Sequence, residues 1–77
     1  MNSRQRRLWW RSRRGLLELD LLLVPFVESE FTSLSAAQQK DYERLLEQED
    51  PVLLEWFERR SQPDDEALGQ LVERILG

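Results

Sequence analysis

Cysteine and histidine are both absent from this chain of 77 residues. Without cysteine there can be no disulfide, thiolate metal site, iron–sulfur cluster or thiol nucleophile. Without histidine, the commonest general base and the commonest metal ligand are missing too. Small secreted folds usually depend on disulfide staples, so their absence points to a reducing compartment and a cytoplasmic protein. Only three glycines occur, and neither a Walker loop nor a G-x-G-x-x-G turn can be assembled from them. The longest apolar run, Leu21 to Val27, contains Pro25 and is far too short to span a bilayer. Glu18 and Asp20 interrupt the apolar stretch that a signal peptide would need. The expectation is neither an enzyme nor a membrane-inserted protein.

What is present fits one small soluble domain over residues 1–77. A chain of this length buries about 60–65% of its unfolded surface, so its core is small. Hydrophobic residues make up 40% and charged residues 34%, a globular rather than a disordered balance. The net charge of −4 hides an asymmetry. Six arginines and no acid lie within the first fourteen residues, whereas residues 15–77 hold five basic and fifteen acidic side chains. Such a split reads as a basic interaction arm on an acidic body. The arm could attract phosphate or anionic lipid, and the body would repel both.

Periodicity indicates helices throughout. A first helix is expected after Ser3 as N-cap, running to Arg14, with Gly15 where a helix would stop. A second segment runs from Leu16 to Phe31; Leu16, Leu19, Leu23, Phe26 and Val27 share its inner face, and Pro25 should kink it. A third opens with the capping box Ser35-Ala36-Ala37-Gln38 and buries Tyr42, Leu45 and Leu46. A fourth opens with Asp50 as N-cap and Pro51 at the first helical position, burying Leu53, Trp56 and Phe57. A fifth follows Pro63, with Asp64, Asp65 and Glu66 in its first turn and Leu68, Leu71, Val72, Ile75 and Leu76 as its stripe. Connections of two to five residues would force neighbours to pack together. Nothing alternates with period two for long enough to form a sheet. The fold class is all-α, a compact bundle of about five short helices. Its core is expected from Leu19, Leu23, Leu45, Leu46, Leu53, Trp56, Phe57, Leu71, Val72 and Ile75.

Chemistry-bearing groups are few, and no catalytic, metal-binding or cofactor-binding residue is assigned. The acid pairs Glu49-Asp50 and Asp64-Asp65 could hold a hard cation, but they read better as helix-start chemistry. Trp9 and Trp10 beside arginines could stack on bases, as in single-strand binders. The simpler reading is that one anchors the first helix to the core and the other stays partly exposed. The segment Arg13-Arg14-Gly15-Leu16-Leu17-Glu18-Leu19-Asp20 admits an ordinary capping explanation, with Arg14 and Gly15 ending one helix and Glu18 opening the next.

That segment also resembles the R-G-x-x-E motif of the succinate dehydrogenase flavinylation factors, a family of small helical assembly proteins. The resemblance covers almost the whole chain. It includes Trp10, Arg13-Arg14-Gly15, Glu18-Leu19-Asp20, Pro25-Phe26, Glu28, Glu30 and Ser33-Leu34-Ser35. It continues through Arg44-Leu45-Leu46-Glu47, Asp50-Pro51, Leu53, Trp56 and Pro63. Two departures are a heavier arginine content near the start and an end at Gly77, where members often continue in a basic tail.

A single copy is the expected state, and the resemblance implies a five-helix bundle that binds the flavoprotein subunit of succinate dehydrogenase or fumarate reductase. It would promote covalent attachment of FAD to a histidine of that subunit, holding no cofactor stably itself. The partner-facing surface would carry Arg14, Gly15, Glu18 and Asp20, with Arg13 and Trp10 beside them. Arg14 would offer a bidentate donor to the partner, and Gly15 would permit close backbone approach. Because this chain has no histidine, an acceptor of that kind lies on the partner. The competing class is a nucleic-acid-binding or antitoxin-like interaction protein using the basic arm.

Overall fold

The computed structural model describes residues Met1–Gly77. Five α-helices follow in order: α1 (Ser3–Ser12), α2 (Leu17–Ser29), α3 (Ala36–Leu46), α4 (Asp50–Phe57) and α5 (Glu66–Leu76). A short 3-10 turn at Phe31–Ser33 joins α2 to α3. There is no strand. The radius of gyration of 11.4 Å equals that of a compact chain of this length, about 11.5 Å. The basic segment is therefore folded into the body and does not extend from it.

α1 is a packed element. Asn2, rather than Ser3, is its N-cap, with the Asn2 side-chain Oδ1 accepting from the Gln5 N–H at 2.7 Å. The helix ends at Ser12, so Arg13 and Arg14 lie in the turn beyond it. Gln5, Leu8 and Ser12 recur at helical spacing and are buried against α2 and α3. The Gln5 side-chain amide donates to the Val27 carbonyl at 2.9 Å, pinning α1 to α2. Arg4 and Arg11, on the flank toward α3, approach Glu43 at 3.6 and 3.8 Å. Solvent-exposed pairs of this kind contribute only about 0–1 kcal/mol each, so Leu8 and Gln5 do most of the anchoring.

α2 supplies the centre of the core through Leu19, Leu23, Phe26 and Val27. It continues through Pro25 without a break. Pro25 and Leu21 both lie on the exposed side, so the carbonyl that proline cannot satisfy remains within reach of water. The helix stops at Ser29 rather than Phe31, and Phe31 turns inward from the 3-10 turn. α3 begins at the reciprocal capping box of Ser35 and Gln38 and buries Tyr42, Leu45 and Leu46. Phe26 and Phe31 flank the Tyr42 ring at centroid distances of 5.6 and 6.4 Å.

α4 has Glu49 as its N-cap, which displaces Asp50 into the first turn. Leu53 and Phe57 are buried, but Trp56 is only partly so, packed against the edge of the core. The α4–α5 connection, residues 58–65, is longer than the short loops expected; Arg59 at φ 60° reverses the chain there. Asp65 caps α5 by accepting from the Leu68 N–H at 3.1 Å, so Asp64 stays outside the helix. Leu68, Leu71, Val72 and Ile75 then close the core against α2, α3 and α4. Leu8, Phe31 and Leu34 belong to that core in addition to the residues expected from periodicity.

One polar cluster lies inside. The Ser12 hydroxyl donates to the Leu8 carbonyl at 2.7 Å and stands 2.6 Å from the Tyr42 hydroxyl. The Tyr42 hydroxyl also reaches the Leu23 carbonyl at 3.4 Å. Burial pushes the Tyr42 phenol well above its ordinary pKa, and the bond to Ser12 only partly offsets this.

Two outcomes are expected. Leu8→Ala should lower the unfolding free energy by about 2–5 kcal/mol in urea titrations, while Trp10→Ala, at a position 62% exposed, should stay within about 0.5 kcal/mol. The second concerns alkaline pH. The native state resists ionising Tyr42, whereas the unfolded chain ionises near the ordinary value of about 10. Stability should therefore be intact below that pH and decline as pH rises above it. Tyr42 is the only tyrosine, so phenolate absorbance should appear together with loss of helix. Tyr42→Phe should remove this pH dependence.

Candidate functional site

The turn between α1 and α2, residues 13–16, is built around one side chain that faces inward. Arg14 is half-buried, and four of its five N–H groups are engaged within the chain. Its Nε donates to Asp50 Oδ1 at 2.8 Å. Its Nη1 donates to the Arg11 and Leu46 carbonyls at 3.2 and 2.9 Å, and its Nη2 to the Gln48 carbonyl at 2.6 Å. Arg11 and Leu46 lie at the C-terminal ends of α1 and α3, where carbonyls lack helical partners and a cation is favoured. Asp50 lies in the first turn of α4, where an anion is favoured. One guanidinium thus serves three helix ends.

Asp20 completes the clasp from the other side. Its Oδ1 accepts the Arg14 backbone N–H at 2.7 Å, so Arg14 is held through both its side chain and its main chain. Between these holds, Gly15 takes φ +79° and is exposed. A Cβ at Gly15 would meet no atom within 4 Å. Glycine is required there by the left-handed backbone rather than by crowding within the chain. The open space outside it is what a partner's backbone would need.

The remaining expected residues lie on the outer side. Glu18 is exposed and makes no ion pair or side-chain hydrogen bond. Arg13 is exposed, with its guanidinium carbon 5.6 Å from the centre of the Trp9 ring. Trp10 is 62% exposed and meets Trp9 edge-on at 4.9 Å. Trp9 packs on the core and donates its indole N–H to Glu28 at 3.0 Å. The two tryptophans divide as expected, one anchoring and one presented. The structure therefore separates the expected site into an inner pair, Arg14 and Asp20, and an outer set, Trp10, Arg13, Gly15 and Glu18.

Two outer residues escaped the sequence reading. Leu17 and Leu21 are 67% and 65% exposed, on the same face of α2 one turn apart. Glu28, two turns beyond Leu21 on that face, is the residue Trp9 bonds, so this face looks toward the tryptophan pair. Trp10, Leu17 and Leu21 are thus the large apolar side chains that α1 and α2 leave exposed. Leu17 and Leu21 were hidden because the apolar content of α2 runs round the helix, so its inner and outer leucines look alike in sequence. Asp50, expected as an N-cap, joins the site through its bond to Arg14. No helix is long and apolar enough to cross a membrane.

The inner and outer sets should respond differently to truncation. Asp20→Ala removes the acceptor of the Arg14 N–H and should cost about 1–2 kcal/mol. Glu18→Ala removes no contact and should stay within about 0.5 kcal/mol. Thermal unfolding followed by circular dichroism separates them.

The sequence model of the family described as flavinator of succinate dehydrogenase matches residues 6–77. The chain is 48% identical over 71 residues to a FAD assembly factor SdhE of Pseudomonas aeruginosa, covering 92% of this chain and 84% of that protein. It is 44% identical over 70 residues to the FAD assembly factor SdhE of Colwellia psychrerythraea, covering 91% and 77%. With that of Psychrobacter arcticus the identity is 38% over 73 residues, covering 95% and 78%. The chain belongs to the family of flavinators of succinate dehydrogenase.

Proposed function

We propose that this protein is an assembly factor that binds the flavoprotein subunit of succinate dehydrogenase, and of fumarate reductase where present, and promotes covalent attachment of FAD to it. The observation that carries this reading is the turn itself. It presents Gly15 and an uncommitted Glu18 outward while Arg14 and Asp20 fix it from within.

The mechanism is one of positioning. Gly15 lets a partner's backbone approach without a side chain between the surfaces. Glu18 offers two acceptor oxygens to an N–H or guanidinium on the partner, a charge-assisted contact stronger than a neutral one. Trp10, Leu17 and Leu21 lose apolar surface to the partner, at about 25 cal/mol per Å² removed from water. The bound bundle favours one conformation of the flavoprotein, in which FAD and its acceptor side chain are held at reacting distance. The chain has no histidine of its own, and in this reading it acts as a chaperone of the chemistry, in the cytoplasm, with no flavin retained.

The nucleic-acid reading loses ground for a structural reason. Arg4 and Arg11 face Glu43, and Arg14 is engaged inside. That leaves Arg6, Arg7 and Arg13 as the free cations of the basic segment, against an acidic body.

Glu18→Ala provides the test. Incubated with apo-flavoprotein subunit and FAD, it should melt normally yet slow the appearance of covalent flavin fluorescence at least tenfold at limiting concentration. Full activity of that variant would remove Glu18 from the docking surface.

A further inference from the structure

We infer that Asp50 is a positioning residue for the docking turn, acting at a distance through Arg14. This inference rests on the docking role proposed above. Asp50 belongs to another helix, 36 residues from Arg14 in sequence, and its carboxylate is the one acidic group bonded to the guanidinium.

Few contacts other than those of Arg14 hold residues 13–15 of the turn. Neither the Gly15 nor the Leu16 N–H makes a backbone hydrogen bond. Gly15 touches nothing on the side where a Cβ would stand. Leu16 packs against the core at the α2 end of the turn, and ahead of it chain direction is set by Arg14, whose side chain reaches the α3–α4 junction while its N–H is taken by Asp20. Three of the four side-chain acceptors are neutral carbonyls; the fourth is Asp50.

The Arg14 side chain is only 15% exposed. A guanidinium this far from water needs a counter-charge, and without one it moves toward solvent. That movement would withdraw the guanidinium from the Leu46 and Gln48 carbonyls and carry the Arg14 backbone with it. Gly15 and Glu18 would then be presented in several arrangements instead of one. Only a fraction of molecules would be competent to dock, and apparent affinity falls in proportion to that fraction.

Asp50 is well placed for this role and poorly placed for direct contact through the same oxygen. Its side chain is 36% exposed, yet Oδ1 points to Arg14 at 2.8 Å. The neighbouring Pro51 removes one N–H from the first turn of α4 and stiffens it, so the carboxylate is carried on a fixed support. The effect expected of losing Asp50 is thus on the concentration needed for docking, with the rate in the docked complex preserved.

The experiment uses the full chain, apo-flavoprotein subunit of succinate dehydrogenase and FAD, with initial rates of covalent flavin formation measured against chain concentration. Asp50→Asn should raise the half-saturating concentration on the order of tenfold while the saturating rate stays within about twofold. Arg14→Ala and the double variant Arg14→Ala/Asp50→Ala should be indistinguishable, because Asp50 has nothing to act through once Arg14 is gone. Amide exchange gives a second readout independent of activity. In Asp50→Asn the Arg14 N–H should lose protection while those of Leu71 and Val72 in α5 keep theirs. An unchanged half-saturating concentration, an additive double variant, or equal loss of protection in α5 would each overturn the inference. If the unsubstituted chain failed to promote flavinylation, the functional reading would fall. The amide exchange would still decide whether Asp50 governs the turn.

Discussion

A single guanidinium joins parts of this protein that the chain order keeps far apart. Arg14 bonds the end of α1, the end of α3, the α3–α4 junction and the start of α4. Each of these groups faces a helix terminus whose partial charge favours what it meets, cation at the carbonyl ends and anion at the amide end. Lysine could not substitute, because its single ammonium cannot satisfy acceptors spread in a plane as the guanidinium fork does. Were Arg14 absent, the Leu46 and Gln48 carbonyls would have to find water at a half-buried junction, and the α1–α2 turn would lose its tie to α3 and α4. The geometry of the exposed turn is therefore a consequence of what lies behind it.

The same helices are tied a second time, deeper in the core. Ser12 ends α1 directly over Tyr42 of α3, and their hydroxyls meet at 2.6 Å among Leu8, Leu23, Phe26 and Phe31. No buried side-chain polar atom is left without a partner. A hydrogen bond in such surroundings contributes about 1 kcal/mol net, but leaving either partner unpaired costs more. Together with Gln5 on the Val27 carbonyl, this explains why a segment dense in arginine folds as part of the bundle. The arginines of α1 lie off its buried face while Gln5, Leu8 and Ser12, at helical spacing, enter the core.

Much of this was readable from the sequence, and the failures have a common cause. The capping box at Ser35 and the stripe of α5 are local patterns, in which the residues that interact are three or four apart. The two tryptophans also divided as local helical geometry requires. Asp50 looked like a cap for the same reason: an acid before a proline opens a helix on local logic alone. Its partner is Arg14, and no local pattern can reveal a contact between two turns separated by α2 and α3. Size and spacing point Trp56 into the core, but it packs only against the core's margin. Phe31 and Leu34 entered the core from a turn, where period-based reading has no purchase.

The R-G-x-x-E pattern gathers residues with different physical tasks. In this chain the arginine is turned inward and the glycine and glutamate outward. Gly15 marks the change of direction: its left-handed backbone allows the chain to leave a buried anchor and begin a new helix within two residues. Three residues after Gly15, Glu18 is in the first turn of α2, where its carboxylate is favoured by the helix dipole and needs no side-chain partner to hold it. Because the helix already fixes the backbone beneath it, only the Glu18 side-chain rotamers remain to be ordered on binding, and no backbone-ordering cost is added. In the proposed complex the anchor and the contact depend on each other. Arg14 supplies a rigid position that a flexible turn would lack, and Glu18 and Gly15 give that position something to meet. A motif that reads as one unit in sequence is thus a support and a surface joined at one glycine.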